Sequence, residues 1–510
     1  MPSLATLLAV SAGVATVASA ADAPQPRVVG FPFTKTKRHI SERTSRLARR
    51  NTVQTQLENW WYGYQINVTV GTPGQSVGLQ IDTGSSDTWF PYSGVKDCLK
   101  GGCTWGSFDP DKSSTFQDLT QGQFEISYVD GTEIKGDYIA DTLDIGGSNI
   151  KNMTMALATS LANTDVNGGI MGIGYATDES IANSNPNSQY PNVPVQLLQQ
   201  GYISSLAYSL WLNDLDSNFG SILFGGVDTA KYHGDLIAVP IVPEAKSGIY
   251  DTFTVALSSI TVTNKTGKSV YNKPNLAVPV ILDSGSTLTY LPNDLAMEIL
   301  QGVGAAEDRE QDWVLPCTLG DSGAHINFSF GGSGGPTIAV PFEDLFLPVY
   351  NSNGEQAEFK NGQKACQFGI YPAGNDPVIF GDVFLRSAYV VYDLHNNYVA
   401  LANTNFNATD SNVKEISNTT IPGVTATASG VSVTQTATNA HRQGSSAAAS
   451  ATVSFVPGSA TFDLGQSTST AKGAAPASAQ LPPRISLQLV MSGIAVVVAG
   501  MFGGSLMILC

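Results

Sequence analysis

The 510-residue sequence predicts an all-β body made of two related lobes with a cleft between them, and three observations carry that expectation. From Trp60 to about Asn403, alternating or β-branched runs such as Tyr64–Val70, Val77–Ile81 and Tyr389–Asp393 are broken by Gly, Pro, Asn and Asp. Charged residues make up only 13% of the chain, which suits strands and turns better than amphipathic helices. Finally, Ile81-Asp82-Thr83-Gly84-Ser85-Ser86 recurs as Leu282-Asp283-Ser284-Gly285-Ser286-Thr287. Each copy is followed by an apolar-apolar-Gly element, Ile170-Met171-Gly172 and Ile379-Phe380-Gly381. The offsets, 172 − 82 = 90 and 381 − 283 = 98, put one acidic loop at the same point of each half. Two such halves would bring Asp82 and Asp283 together between them.

In chain order, Met1 to Ala20 reads as an export signal. An apolar run from Leu4 to Val17 precedes Ala18-Ser19-Ala20, a small-x-small cleavage pattern, although no Lys or Arg comes before it. Export places the chain where disulfides persist. Residues 21–50 carry Lys35, Lys37, Arg38, Arg43, Arg46, Arg49 and Arg50 and end in a dibasic pair. A removable prosegment cut after Arg50 is favoured over a cationic surface arm. The body then divides into lobes at 51–245 and 246–404. Helical signals are few: Pro194–Gln200, and Pro292–Leu300 with Asn293 as a candidate cap. His395-Asn396-Asn397 marks a hairpin turn between the last two strands.

Beyond Asn405 the sequence is rich in Ser, Thr, Ala and Gly with few aromatics. Such a composition reads as a stalk over 405–473, O-glycosylated and unable to bury a core. Leu487 to Leu509 is almost wholly apolar and long enough to span a bilayer. Small residues at Gly473-Ala474-Ala475, a spacer with Pro482, Pro483 and Arg484, and the immediate chain end complete a GPI-attachment signal. Attachment is expected at Gly473 with 474–510 removed. A single-span anchor is the rival reading, against which the lack of a basic flank counts. Sequons start at Asn67, Asn152, Asn264, Asn327, Asn407 and Asn418, as suits a secreted surface.

The formal charge of −16 argues against a nucleic-acid partner. Cys98, Cys103, Cys317 and Cys366 can pair within the body, while Cys510 leaves with the tail. The five histidines show no metal-ligand spacing, so neither metal nor cofactor is expected. Gly331-Gly332-Ser333-Gly334-Gly335 formally matches a serine-hydrolase elbow but precedes a strand-like run rather than a helix, and reads as a turn.

The paired loops suggest a specific chemistry. Two carboxylates sharing one proton can take a proton from water and donate one to a carbonyl oxygen at once. Packed closely they cannot both ionise, so one acid stays neutral. Gly84 and Gly285 allow tight turns and close approach to a substrate. Ser85 and Ser286 can donate to the carboxylates, and Thr83 and Ser284 can lock the loops. One Asp-Thr-Gly alone is ordinary turn chemistry; two, each after an apolar strand and each followed by apolar-apolar-Gly, are a specific signal.

On these residues the sequence resembles the pepsin-like aspartic proteases over the whole body. Asp87-Thr88-Trp89, Cys98 and Cys103 at close spacing, Phe108-Asp109-Pro110 and Ser113-Ser114-Thr115-Phe116 add to the match. So do Ile126-Ser127-Tyr128-Val129-Asp130-Gly131-Thr132, like the family's flap, and Gly381-Asp382-Val383-Phe384-Leu385-Arg386. The resemblance implies a bilobal fold and an endopeptidase, expected as a monomer, with Asp82 and Asp283 catalytic. It also implies Tyr128 over the scissile bond, Trp89 supporting Tyr128 by a hydrogen bond, and Cys98–Cys103 and Cys317–Cys366 disulfides. The leader, stalk and tail resemble the yapsin-like, cell-surface fungal branch, which tends to cut at basic residues. Asp130 could pair a substrate Lys or Arg, or serve as a solvated hairpin-tip turn residue; both readings stay open. Gln80 departs from an apolar choice and is expected to make the pocket more polar. The alternative function is an inactive surface binding or wall protein on the same fold, usually marked by a missing acid or flap Tyr.

Overall fold

The computed structural model describes residues 27–435, apart from 39–56, 60, 129–130, 163–167, 186, 218, 308–311, 352–354 and 360, and residues 460–464. The first lobe is built from β1 (Val29–Arg38), β2 (Trp61–Val70), β3 (Gln75–Asp82), β4 (Thr88–Pro91), β5 (Gln117–Ser127), β6 (Glu133–Ile145), β7 (Ser148–Ala162) and β8 (Gly169–Gly172). Next come β9 (Ala207–Trp211), β10 (Phe219–Phe224) and β11 (Tyr232–Pro240). The second lobe holds β12 (Thr254–Thr263), β13 (Val278–Leu282), β14 (Thr289–Leu291), helix α1 (Asn293–Val303) and β15 (Ile379–Phe380). The chain then returns through β16 (Ala388–Asp393), β17 (Tyr398–Thr404) and β18 (Val424–Thr427).

A 14-stranded sheet in the order β18-β11-β17-β16-β9-β10-β1-β2-β3-β8-β4-β7-β6-β5 runs from strands of the returning chain into the first lobe. An eight-stranded sheet centred on β12, β13 and β15 forms the second lobe. Along β2 the burial alternates at Ile66, Val68 and Val70, the period-two pattern of a strand with one face on the core. Both repeats fold alike. β3 runs parallel to β8, which pairs antiparallel with β4. In the same way β13 runs parallel to β15, which pairs antiparallel with β14. The acidic loop of each half is therefore the connection between two strands that flank a third. Gly172 and Gly381 are needed there, because a Cβ on Gly172 would stand 2.6 Å from the Ser86 amide and one on Gly381 would overlap the Ser286 carbonyl. One apolar cluster runs from Ile66 and Leu79 through Tyr208 and Phe253 to Phe328 and Phe380, so the lobes share a core.

Several expectations from the sequence are met locally. A helix spans Val193–Gln199, the turn at 394–397 carries Asn397 at φ 59°, and Gly331–Gly335 leads into the strand Thr337–Pro341. Both disulfides form, Cys98–Cys103 and Cys317–Cys366. Asn293, however, is not the cap of α1. Pro292 occupies that position, and Asn293 Oδ1 instead accepts from the Gly374 amide at 2.8 Å.

Larger differences lie at both ends. Part of the expected prosegment, β1, is an interior strand of the large sheet: Val29–Thr34 pairs with β10 and Thr34–Arg38 with β2. At the other end the chain does not leave the body at residue 405. Val413–Glu415 pairs with Gly226–Asp228, and β18 adds parallel to β11. Ile416, Ala428 and Gln435 are buried, and the Gln435 amide donates to Asp251 Oδ1 and Thr252 Oγ1 at 3.1 and 2.8 Å. The composition argument for a stalk failed here because this segment needs no core of its own: it extends existing ladders, adds Ile416 to an apolar cluster of the body and bonds to Asp228 and Asp251.

Candidate active site

The acidic loops meet at the ends of β3 and β13, and a reciprocal set of bonds fixes them. Thr83 Oγ1 donates to the Leu282 carbonyl at 3.0 Å and accepts from the Ser284 amide at 2.9 Å. Ser284 Oγ donates to the Ile81 carbonyl at 3.1 Å and accepts from the Thr83 amide at 3.2 Å. Each hydroxyl thus satisfies the other loop's backbone, and Thr83 and Ser284 lock the pair as expected. Gln80 adds a third link: its Nε2 donates to the Gly285 carbonyl at 3.2 Å. At 7% exposure Gln80 braces the two loops.

Within each loop the carboxylate is gripped in the same way. Asp82 Oδ1 accepts from the Gly84 amide at 2.8 Å and Oδ2 from Ser85 Oγ at 2.5 Å. Asp283 Oδ1 accepts from the Gly285 amide at 2.7 Å and Oδ2 from Ser286 Oγ at 2.6 Å. The glycines are required by proximity. A Cβ on Gly84 would stand 2.5 Å from Asp283 Oδ1, and one on Gly285 would overlap Asp82 Oδ1. Both acids are 4% exposed. Burial first, and then the charge of Asp283, hold the Asp82 carboxyl well above the usual carboxylate range; the bond from Ser85 opposes them. Raising one acid of a close carboxylate pair favours the singly protonated form, the condition for acting as acid and base together.

The hairpin of β5 and β6 ends near the site. Tyr128 is half-buried and its hydroxyl accepts from the Trp89 indole N–H at 2.7 Å. Its amide donates to the Thr132 carbonyl at 2.9 Å, and the Gly131 amide donates to the Tyr128 carbonyl at 3.0 Å, which closes the turn. Asp130 lies outside the described residues, as do Arg50, Gly473 and the expected signal and tail. Asn67, Asn152, Asn407 and Asn418 are exposed and Asn327 is half-buried. Asn264 is only 6% exposed, which corrects its place among the surface sequons.

Sequence reasoning missed the groups that support the loops from behind. Asp87 is fully buried and accepts from Tyr190 OH at 2.6 Å, the Ser180 amide at 2.7 Å and Tyr138 OH at 3.5 Å. Ser180 Oγ in turn donates to the Glu125 carbonyl of β5, so Asp87 ties the first acidic loop to the hairpin strands. In the second lobe Arg386 is fully buried and its Nη2 donates to the Asp344 carbonyl at 2.5 Å. The Asp87-Thr88-Trp89 motif was the available signal for Asp87, though not for its partners; the Asp344–Arg386 partnership spans 42 residues and had none.

Residues 63–404 match the family model described as "Eukaryotic aspartyl protease". A probable aspartic-type endopeptidase of Aspergillus oryzae is 41% identical over 74% of this chain and 77% of its own. Candidapepsin-3 of Candida albicans is 35% identical over 78% of this chain and 95% of its own. The crystal structure of an aspartic proteinase from Irpex lacteus superposes with a TM-score of 0.54 at 24% identity, covering 69% of this chain and 96% of that one.

Proposed function

The chain belongs to the eukaryotic aspartyl protease family and is an aspartic endopeptidase, and we propose that Asp82 and Asp283 are its catalytic pair. The observation that carries this assignment is the pair itself: two carboxyls on mirrored loops, joined by reciprocal hydroxyl bonds, with Asp82 pushed toward its protonated form. A water lying between the carboxyls would lose a proton to the ionised one while the protonated one donates to the substrate carbonyl oxygen. The tetrahedral adduct then collapses with proton transfer to the leaving amine, and the pair returns to its starting state. Tyr128, steadied by Trp89, closes over the bound peptide and limits water access to the reacting carbonyl.

The same proposal covers what lies around the catalytic body. Residues 1–20 direct export, cleavage after Arg50 matures the chain, and a GPI anchor near Gly473 holds it at the cell surface. Because β1 is paired on both edges, cleavage after Arg50 leaves that strand held in the sheet; intact mass of the folded secreted protein reads whether it stays. Asp130 gives a preference for Lys or Arg at the cleavage site through a charge-assisted bond.

The test is cleavage of a broad peptide library by the secreted body at mildly acidic pH in ¹⁸O-labelled water, with and without pepstatin. Pepstatin-sensitive cleavage with one ¹⁸O in each new carboxyl under single turnover is expected. Asp130→Ala should lose preference for basic over Leu-containing peptides; an unchanged preference removes Asp130 from the account. Correctly folded protein that cleaves nothing would favour the inactive binding reading.

A further inference from the structure

Helix α1 ends against a piece of chain from far downstream. Residues 460–464 lie across its last turn, where the amides of Thr461 and Phe462 both donate to the Gly302 carbonyl, at 3.1 and 3.0 Å. The last carbonyls of a helix have no intrahelical donor, and this segment supplies donors there. The Phe462 ring rests on the bare face of Gly302, in space that a Cβ would occupy, and packs tilted on Tyr271 with centroids 5.5 Å apart. Ala460 covers Gly304, whose φ of 77° ends the helix, and Leu464 is 6% exposed. A Phe-x-Leu segment from a Ser/Thr-rich region thus fills a groove made by two glycines and a tyrosine.

Asn264 stands at the rim of that groove, in the turn after β12. It begins the sequon Asn264-Lys265-Thr266. Its Oδ1 accepts from Thr266 Oγ1 at 2.7 Å, from the Thr266 amide at 3.0 Å and from the Lys268 amide at 3.1 Å. The turn therefore fixes the orientation of the carboxamide and leaves Nδ2 facing the downstream segment, where it donates to the Asp463 carbonyl at 3.3 Å.

We propose that residues 460–464 are a tethered ligand for this groove, and that their docking and an N-linked glycan on Asn264 exclude each other. A glycan is carried on Nδ2, the atom that meets Asp463, and its first sugar needs the space that Asp463 and its neighbours fill. Phe462, Leu464, Ala460 and the hydrogen bonds named above act against the ordering of five residues, so one substituent on Asn264 can expel the segment. One consequence rests on the anchoring proposal above. Nine residues separate Leu464 from Gly473 and 38 separate Gln435 from it, so losing the hold on 460–464 raises the greatest extended reach from the last held residue from roughly 30 Å to roughly 130 Å. Docking would then set how far the protease stands from the surface that holds it.

Hydrogen exchange by mass spectrometry on the full secreted chain, with glycan occupancy mapped in the same sample, tests the proposal. Molecules with unmodified Asn264 should protect the Thr461 and Phe462 amides. Gly302→Ala favours an isolated helix but puts a methyl group into the ring position. It should raise exchange over 460–464 at least tenfold while α1 protection and peptidase activity hold; Phe462→Ser should do the same. Equal exchange over 460–464 in wild type and Gly302→Ala overturns docking, and full protection in molecules glycosylated at Asn264 overturns the exclusion. Anchoring is read separately, by release from cells with phospholipase, and its failure would leave the exchange result unchanged.

Discussion

The loops bearing Asp82 and Asp283 make matching hydrogen bonds, whereas the groups buried behind them differ in their partners. Behind Asp82 lie Asp87, Asp178 and Glu179, influenced by burial, by hydroxyl and amide donors and by one another. Burial pushes Asp87 up to about 6 and Glu179 up to about 9, and Asp178 is raised well above its ordinary value by burial and then by Asp251. Behind Asp283, Asp344 faces a buried guanidinium: Arg386 Nε is 3.7 Å from Asp344 Oδ1. Burial there lifts Asp344 to about 6, with the Arg386 charge opposing the rise. In the first lobe the buried acids are held by hydroxyl and amide donors, whereas in the second the buried acid has a guanidinium beside it. The first arrangement should fail with rising pH, the second with loss of a partner.

The largest expected effect is on the second lobe. Arg386→Met leaves buried carboxylates without their cation and should cost about 3–5 kcal/mol in chemical denaturation. Adding Asp344→Leu should restore part of that loss. A single variant as stable as wild type would show that Arg386 compensates nothing.

Next in size is the pH dependence of the first lobe. A folded-state pKa raised above the unfolded value stabilises the protein below the unfolded pKa, and this stabilisation is lost as pH rises through the folded pKa. For Asp87 the window runs from about pH 4 to about 6, and for Glu179 from about 4.5 to about 9. Denaturation midpoints should therefore fall across this range. Glu179→Gln, which keeps an acceptor for the Tyr190 amide, should flatten the part above pH 6. Wild-type protein as stable at pH 9 as at pH 5 would break the comparison.

The smallest effect sharpens the likeness of the two loops. Ser85→Ala removes a donor that lowers the pKa of Asp82, so the proton should persist on the pair to higher pH. The pH–rate profile should move upward by about one unit or less, given about 1.5–3 kcal/mol for a hydrogen bond to a charged group partly replaced by water. A downward shift would contradict the assigned bond.

What was legible in the sequence was local or repeated. Asp82 and Asp283 announce themselves twice with the same neighbours, and Trp89 and Tyr128 lie in short motifs whose geometry follows from a loop and a hairpin. Supports that depend on distant pairing were not legible. Nothing near Arg386 names Asp344, and no property of Val29–Arg38 says that it lies between β10 and β2. The segment after residue 405 misled for a physical reason, since composition reports the capacity to build a core and not the capacity to join one already built.

The central claim is that Asp82 and Asp283 act as one unit. Asp82→Asn and Asp283→Asn, each shown to be folded, should be compared with wild type in peptide cleavage at mildly acidic pH. Both variants should lose activity by several orders of magnitude and to a similar extent, with the double variant no worse than either. Substantial cleavage by either single variant would contradict the account.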